Sequence, residues 1–296
     1  MFGRSYLKTV AMSVLKSVFP DITGNEDKKI KLFLLSVLIF PIVLYRAYFQ
    51  SVIPYIELVV TPKCNLNCAG CANLMPCYDK AAPHIDFDVL KNSLDALFSI
   101  SKRIETIKFI GGEPFLYSRL GELVAYAAKN KSVKNIIITT NGSVTPKKAI
   151  LEGISHPKVI VDISDYPMVN SQSFIDHLKS NNIAYRLIEF SSWFDYGETN
   201  VRNMPDEMLK LSFQKCASAE CKTLLNGKLY ICPRAAHGAV LSLIPTDENE
   251  FVDILAKKEE RRSFKKLYSR PFINACDYCT PVWKRNEIEC GVQIKQ

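Results

Sequence analysis

The sequence predicts an α/β fold built on a mainly parallel β-sheet, either open or closed into a barrel. From about residue 55, short β-rich runs alternate with helical stretches at regular spacing, which is typical of parallel strands joined by helical crossovers. The runs are continuously apolar, as in strands that are buried on both faces. The expected strands are 55–60, 106–110, 135–140, 159–164 and 184–190, and the expected helices between them are 87–101, 120–130, 146–154 and 174–181.

The composition predicts a globular protein with reduced cysteines. With 296 residues, of which 48% are hydrophobic and 23% charged, the chain is long enough for one large domain or for a large and a small one. No cleavable signal peptide is evident, so we expect the ten cysteines to be reduced and metal-bound in the cytoplasm rather than paired as disulfides. The net charge of +8 is spread along the chain without a nucleic-acid-reading motif, so no nucleic-acid partner is expected.

Residues 1–52 are predicted to form a separate helical region. In residues 5–19, apolar side chains recur at helical spacing with lysines on the opposite side, which predicts an amphipathic helix. Residues 32–45 are strongly apolar, but they are fewer than the roughly 20 residues of a spanning helix and contain Pro41, so no transmembrane helix is predicted. We expect these helices either to pack on the main domain or to attach the protein peripherally to the inner face of a membrane.

Four polar or glycine-rich motifs follow four consecutive predicted strands. They are TPKCNLNCAGC at 61–71, GGEP at 111–114, TNG at 140–142 and SDY at 164–166. Ligands of parallel α/β sheets bind at the carboxyl ends of the strands, where the connecting loops converge. The shared position of the four motifs therefore predicts one active site.

The first of these motifs places Cys64, Cys68 and Cys71 within eight residues. A structural zinc site has four ligands, so either a fourth ligand comes from a distant part of the chain or one metal position stays open. Three thiolates in one loop can hold three corners of a cubane cluster and leave the fourth iron free for a ligand that is not protein. A zinc site completed from afar is the alternative interpretation.

This arrangement resembles the radical S-adenosylmethionine superfamily, whose signature is CxxxCxxC in the loop after the first barrel strand. The resemblance implies a partial (β/α)6 TIM-like barrel over about 53–205 and a 4Fe-4S cluster on Cys64, Cys68 and Cys71. It further implies that the open iron binds S-adenosylmethionine, whose reductive cleavage gives a 5′-deoxyadenosyl radical that abstracts hydrogen from a substrate. An external one-electron reductant of the flavodoxin or ferredoxin type would then be a partner.

The other motifs supply the expected S-adenosylmethionine-binding residues. Gly111 and Gly112 would let backbone groups approach the methionyl amino group, and the Glu113 carboxylate would accept hydrogen bonds from it. The resemblance places Asn141 and Ser164 near the ribose and the carboxylate. The residue before the last cysteine, often aromatic in the superfamily, is here Gly70, which leaves adenine stacking to another residue.

The segment 206–296 contains six further cysteines and a predicted hairpin through NGKLY. It resembles the SPASM and Twitch extensions of radical S-adenosylmethionine enzymes, which hold auxiliary 4Fe-4S clusters. A single cysteine follows CDYC, so the shortened Twitch form with one auxiliary cluster is expected. Its predicted ligands are Cys216, Cys232, Cys276 and Cys279, with Cys221 and Cys290 as alternates or as ligands of a second cluster. A zinc ribbon of the same cysteines is the alternative.

Residues between the two cysteine regions indicate the kind of substrate. Aromatic and charged side chains at 193–202 suit a polyol or sugar, and either Arg234 or His237 is expected to take the proton released when a hydroxyl-bearing radical is oxidised. We therefore expect an oxidoreductase that oxidises or rearranges a carbohydrate-like substrate. The alternatives are a peptide-modifying enzyme with the same radical chemistry and a zinc-binding protein without enzymatic activity.

Overall fold

The computed structural model describes residues 52–256, 267 and 270–294. The predicted N-terminal helical region, with its amphipathic helix and its apolar stretch, lies outside these residues. Within the described part of the chain, no helix combines the length and apolarity needed to cross a bilayer.

The main sheet contains eight strands in the order β5-β4-β3-β2-β1-β7-β8-β9. The pairs β2–β3, β3–β4, β4–β5 and β1–β7 are parallel, whereas β7–β8 and β8–β9 are antiparallel. The predicted α/β fold with a mostly parallel sheet is therefore confirmed. The strands are β1 (Val52–Thr61), β2 (Arg103–Gly111), β3 (Val133–Thr140), β4 (Val159–Asp165), β5 (Tyr185–Glu189), β6 (Trp193–Phe194), β7 (Thr223–Leu225), β8 (Lys228–Tyr230), β9 (Phe251–Asp253) and β10 (Glu287–Ile288).

Helices connect the first five strands and bury their apolar faces against the sheet. Leu90, Leu94 and Leu97 recur at helical spacing and are buried, and the Asp86 carboxylate caps the first helix by accepting from two backbone N–H groups. The helices are α1 (Phe87–Ile100), α2 (Leu120–Lys129), α3 (Lys148–Ile154), α4 (Gln172–Ser180), α5 (Asp206–Gln214) and α6 (Pro233–Val240).

The predicted hairpin is present and joins β7 to β8. Asn226 and Gly227 form its turn with φ values of 50° and 75°, the backbone conformation that a two-residue type I′ turn requires. Because β7 pairs with β1, this hairpin and β9 extend the main sheet. Two further strands, β6 and β10, form a separate small antiparallel sheet.

Candidate active site

One cavity of about 460 Å³ lies where β1 to β4 end. Its lining contains all three cysteines of the first motif together with four of the five residues predicted to bind S-adenosylmethionine. Those lining residues are Cys64, Cys68, Cys71, Gly111, Gly112, Asn141 and Ser164. The topology therefore brings residues that are up to 100 positions apart in the sequence around one space.

The thiols of the first motif are chemically suited to an iron-sulfur cluster. All ten cysteines lie in the described residues and are free. Burial raises the pKa of the Cys64 thiol to about 12, with the neighbouring Cys71 and Cys68 adding to the shift. Thiolates bind iron-sulfur clusters, and metal binding deprotonates the thiol, so three such thiols on one loop fit three corners of a cluster. No three or more His, Cys, Asp or Glu side chains of the described residues are arranged to hold a single metal ion.

The two glycines of GGEP allow the second strand end to approach the cysteine loop. A Cβ on Gly112 would lie 2.5 Å from the Lys63 carbonyl carbon and 2.7 Å from Cys64 Cβ, and a Cβ on Gly111 would fall under 3.0 Å from the Thr61 backbone oxygen. Gly112 N donates to that Thr61 oxygen at 2.9 Å. Close backbone packing against the cysteine loop is thus one physical reason for glycine at both positions, and their contact with a ligand stays a prediction.

Glu113 is fully buried and does not line the cavity. Its carboxylate accepts hydrogen bonds from Phe115 N at 3.0 Å, Thr140 Oγ1 at 2.8 Å and Asn141 N at 2.8 Å. Burial raises the pKa of this carboxyl to about 7, and the three hydrogen bonds oppose the shift. These bonds tie the loop after β2 to the loop after β3, and the contact of Glu113 with the methionyl amino group stays a prediction.

Asn141 and Ser164 both line the cavity and are nearly buried. The Asn141 side-chain amide donates to Asn65 Oδ1 at 3.1 Å, and its oxygen accepts from Ser143 N at 2.9 Å. Ser164 lies at the end of β4. Polar groups at two neighbouring strand ends therefore line the same cavity as the three cysteines.

An aromatic wall completes the cavity. It consists of Tyr166, Phe190, Trp193, Phe194 and Tyr196, and the rings of Tyr166 and Trp193 meet edge to face with centroids 5.5 Å apart. The charged residues that follow these rings in the sequence do not line the cavity. They form hydrogen bonds within the loop at 195–202 instead. Asp195 accepts from Gly197 N at 2.7 Å, and Arg202 donates to the Asn200 carbonyl oxygen at 2.8 Å.

A second, smaller cavity of about 30 Å³ collects the four cysteines predicted to hold an auxiliary cluster. Its lining includes Cys216, Cys232, Cys276 and Cys279. Burial raises the pKa of the Cys276 thiol to about 12, and Cys279 and Cys216 add to the shift. The Arg285 guanidinium nitrogens lie 3.6 and 3.7 Å from Cys216 Sγ, so a cation faces this group of thiols.

The two alternates lie elsewhere. Cys290 is buried, and its thiol donates to the Phe190 carbonyl oxygen at 3.3 Å. Neither Cys290 nor Cys221 lines the second cavity. The structure thus groups the four first-choice cysteines and leaves out both alternates.

The two residues predicted to take a proton from substrate do not reach the larger cavity. Arg234 is 3% exposed, lines the second cavity and donates to the Gly197 carbonyl oxygen. His237 is fully buried with Nδ1 2.8 Å from Tyr78 Oη, and its Nε2 has no partner among the described residues. Desolvation lowers the pKa of His237 to about 3, so the ring is neutral. Neither residue lines the larger cavity, and their transfer of a proton from substrate stays a prediction.

The two cavities are neighbours. Tyr196 lines both of them. Burial raises the pKa of the Cys71 thiol on the first cavity and of the Cys279 thiol on the second, and the Arg234 guanidinium opposes both shifts. Arg234 and Tyr196 are thus close to both groups of cysteines.

Residues 58–164 match the family model described as the Radical SAM superfamily. A GTP 3′,8-cyclase of Clostridium acetobutylicum is 31% identical over 97 residues, covering 33% of this chain and 30% of that protein. An uncharacterized protein of Methanocaldococcus jannaschii is 35% identical over 133 residues, covering 44% of this chain and 41% of its own. A GTP 3′,8-cyclase of Helicobacter pylori is 32% identical over 142 residues, covering 46% of this chain and 38% of that protein. The matches thus span well under half the length of these curated relatives.

Solved structures of low sequence identity were also found. BtrN in complex with AdoMet and 2-DOIA is 17% identical with a TM-score of 0.48, covering 82% of this chain and 98% of that one. Native anSMEcpe with bound AdoMet is 14% identical with a TM-score of 0.48, and the match covers 74% of this chain and 83% of that one.

Proposed function

We propose that this protein is a radical S-adenosylmethionine enzyme whose 4Fe-4S cluster is held by Cys64, Cys68 and Cys71. The observation that carries the proposal is that the three thiols of one loop open onto the same cavity as the polar ends of the neighbouring strands. Three ligands leave one iron of a cubane open, and the cavity supplies the space for what binds it. Its volume of about 460 Å³ lies in the range of small-molecule sites.

When bound, the cluster and S-adenosylmethionine would supply a 5′-deoxyadenosyl radical for hydrogen abstraction. The chain itself would position the cofactor. Asn141 and Ser164 would offer hydrogen bonds to its polar groups, and Glu113 would hold the Asn141 backbone in place from behind the cavity wall. The rings of Tyr166 and Trp193 would provide the aromatic contact that Gly70 does not and would keep water from the reacting carbon.

We further propose that Cys216, Cys232, Cys276 and Cys279 hold an auxiliary 4Fe-4S cluster of the Twitch type. Four thiols that line one small cavity support this proposal. Arg285 and Arg234 place positive charge beside thiolates that carry negative charge once a cluster binds. A zinc ion on the same thiols is the competing interpretation, and metal analysis separates the two.

For the substrate we propose a small carbohydrate-like molecule that is oxidised or rearranged. The aromatic wall of the cavity supports this, because ring faces pack against the C–H faces of a sugar while its hydroxyls remain free for polar partners. The second cavity lies next to this wall through Tyr196, so an electron left on a substrate radical would have a nearby acceptor if the auxiliary cluster is present.

The test is cleavage of S-adenosylmethionine. Protein reconstituted anaerobically with iron and sulfide is expected to release 5′-deoxyadenosine and methionine in the presence of dithionite, and chromatography with mass spectrometry measures both. Changing Cys64, Cys68 and Cys71 to Ala should abolish the products. Cys77→Ala makes the same chemical change at an exposed thiol close to the loop and should leave them unchanged. Products from the triple variant at the wild-type rate would refute the proposal.

A further inference from the structure

The C-terminal segment 287–294 is packed along the cysteine loop. Ala69 N donates to the Val292 carbonyl oxygen at 2.7 Å, and Ile294 N donates to the Asn67 carbonyl oxygen at 2.8 Å. These bonds make Gln293 the antiparallel bridge partner of Cys68. The loop that carries the three cysteines is therefore held by a stretch of backbone more than 200 residues further along the chain.

Gly70 is part of the same contact. A Cβ on Gly70 would lie under 3.0 Å from Ile288 Cδ1, and the glycine has a φ of +69°. An aromatic residue at position 70 would therefore overlap the Ile288 side chain of β10 and adopt a strained backbone. The absence of an aromatic side chain before Cys71 is thus explained by the C-terminal segment, whose Ile288 occupies that space.

The Gln293 side chain makes three hydrogen bonds that fix its orientation. Its Oε1 accepts from Asn67 N at 2.6 Å, and its Nε2 donates to the Gly291 carbonyl oxygen at 2.6 Å. A backbone N–H can only donate and a carbonyl oxygen can only accept, so the amide cannot be reversed. The same Nε2 lies 3.1 Å from Cys68 Sγ, which places an N–H donor on this sulfur.

We propose that Gln293 positions Cys68 as a cluster ligand and, through its N–H···S bond, raises the reduction potential of the cluster. This inference rests on the proposed function, because it concerns the cluster assigned to Cys64, Cys68 and Cys71. Reduction adds negative charge that is shared with the ligand sulfurs, and a hydrogen bond to a sulfur stabilises the reduced state. The C-terminal segment thereby adjusts how readily the cluster accepts the electron that S-adenosylmethionine cleavage requires.

Two variants test the electrostatic part of this role. Gln293→Leu removes the donor at similar size, and Gln293→Glu keeps an oxygen for Asn67 N while replacing the donor with a negatively charged acceptor. The midpoint potential should fall in the Leu variant and fall further in the Glu variant. Gln172→Glu introduces the same charge at an exposed position of α4 and should leave the potential unchanged.

The experiment is a potentiometric titration of the full reconstituted chain, followed by electron paramagnetic resonance. The signal that changes when S-adenosylmethionine is added identifies the cluster on Cys64, Cys68 and Cys71, and its midpoint potential is measured. The proposal is supported if the wild type has the highest midpoint potential, the Leu variant a lower one and the Glu variant the lowest. Equal potentials with intact signals would overturn it, as would loss of the cluster from both variants, which would make Gln293 a structural residue only. A wild-type protein that takes up no iron would contradict the proposed function instead.

Discussion

The buried carboxyl of Glu113 predicts an unusual dependence of stability on pH. Two effects compete at this group: burial favours the neutral form, whereas the hydrogen bonds from Phe115 N, Thr140 Oγ1 and Asn141 N favour the ionised form. Burial is the larger effect and raises the pKa from 4.5 to about 7. Glu113→Gln replaces the carboxyl with a side chain of nearly the same shape that does not titrate.

The sign and size follow from linkage. Between pH 4.5 and pH 7 the unfolded chain has released this proton while the folded chain still holds it, so the group's contribution to the free energy of unfolding falls as pH rises. At ~1.4 kcal/mol per pKa unit, the raised pKa of Glu113 corresponds to about 3 kcal/mol over that interval. The wild type should therefore lose about 3 kcal/mol relative to Glu113→Gln between pH 5 and pH 8.

Urea unfolding followed by circular dichroism, under anaerobic reducing conditions, measures both proteins across this range. Thr140→Val provides a companion variant: it removes one hydrogen bond that favours the ionised form, so the fall in stability should extend to higher pH. A wild type whose stability relative to Glu113→Gln is constant or rises with pH would contradict the raised pKa of Glu113. It would mean that the three hydrogen bonds outweigh the burial of the charge.

Two further substitutions test the packing of the cysteine regions. Gly112→Ala should destabilise the protein by about 3 kcal/mol in urea unfolding, because its Cβ would overlap the Lys63 backbone; unchanged stability would contradict the close approach of the two loops. Cys279→Ser should reduce the iron bound after reconstitution, whereas Cys221→Ser and Cys290→Ser should not, since neither thiol lines the second cavity; equal iron loss in all three would argue against the assigned ligands.

The parts of the fold that local sequence determines were predicted well. The strands at 55–60 and 135–140 are continuous apolar runs, and both lie within strands of the structure. The hairpin was predicted because Asn226 and Gly227 tolerate positive φ. The spacing of Cys64, Cys68 and Cys71 could be recognised because all three lie within eight residues of one loop. Their role as ligands stays a prediction.

The contacts that sequence could not give join distant segments through side chains. Glu113 binds the loop after β3, and whether a carboxylate faces a cavity or the protein interior depends on packing that its own motif does not encode. Gln293 meets Cys68 from 225 positions away and belongs to no motif. Arg234 follows Cys232 closely in sequence, but that closeness could not show that its side chain lines the second cavity and not the larger one.

We propose that two groups of cysteines hold two iron-sulfur clusters, one of them with an open iron. The most direct measurement is the iron content after anaerobic reconstitution of the wild type and of the variant with Cys64, Cys68 and Cys71 changed to Ala. A fall from about eight irons per chain to about four is the predicted result. A fall from about four irons per chain to none, with zinc retained, would contradict the auxiliary cluster. A wild type that binds no iron would contradict both proposed clusters.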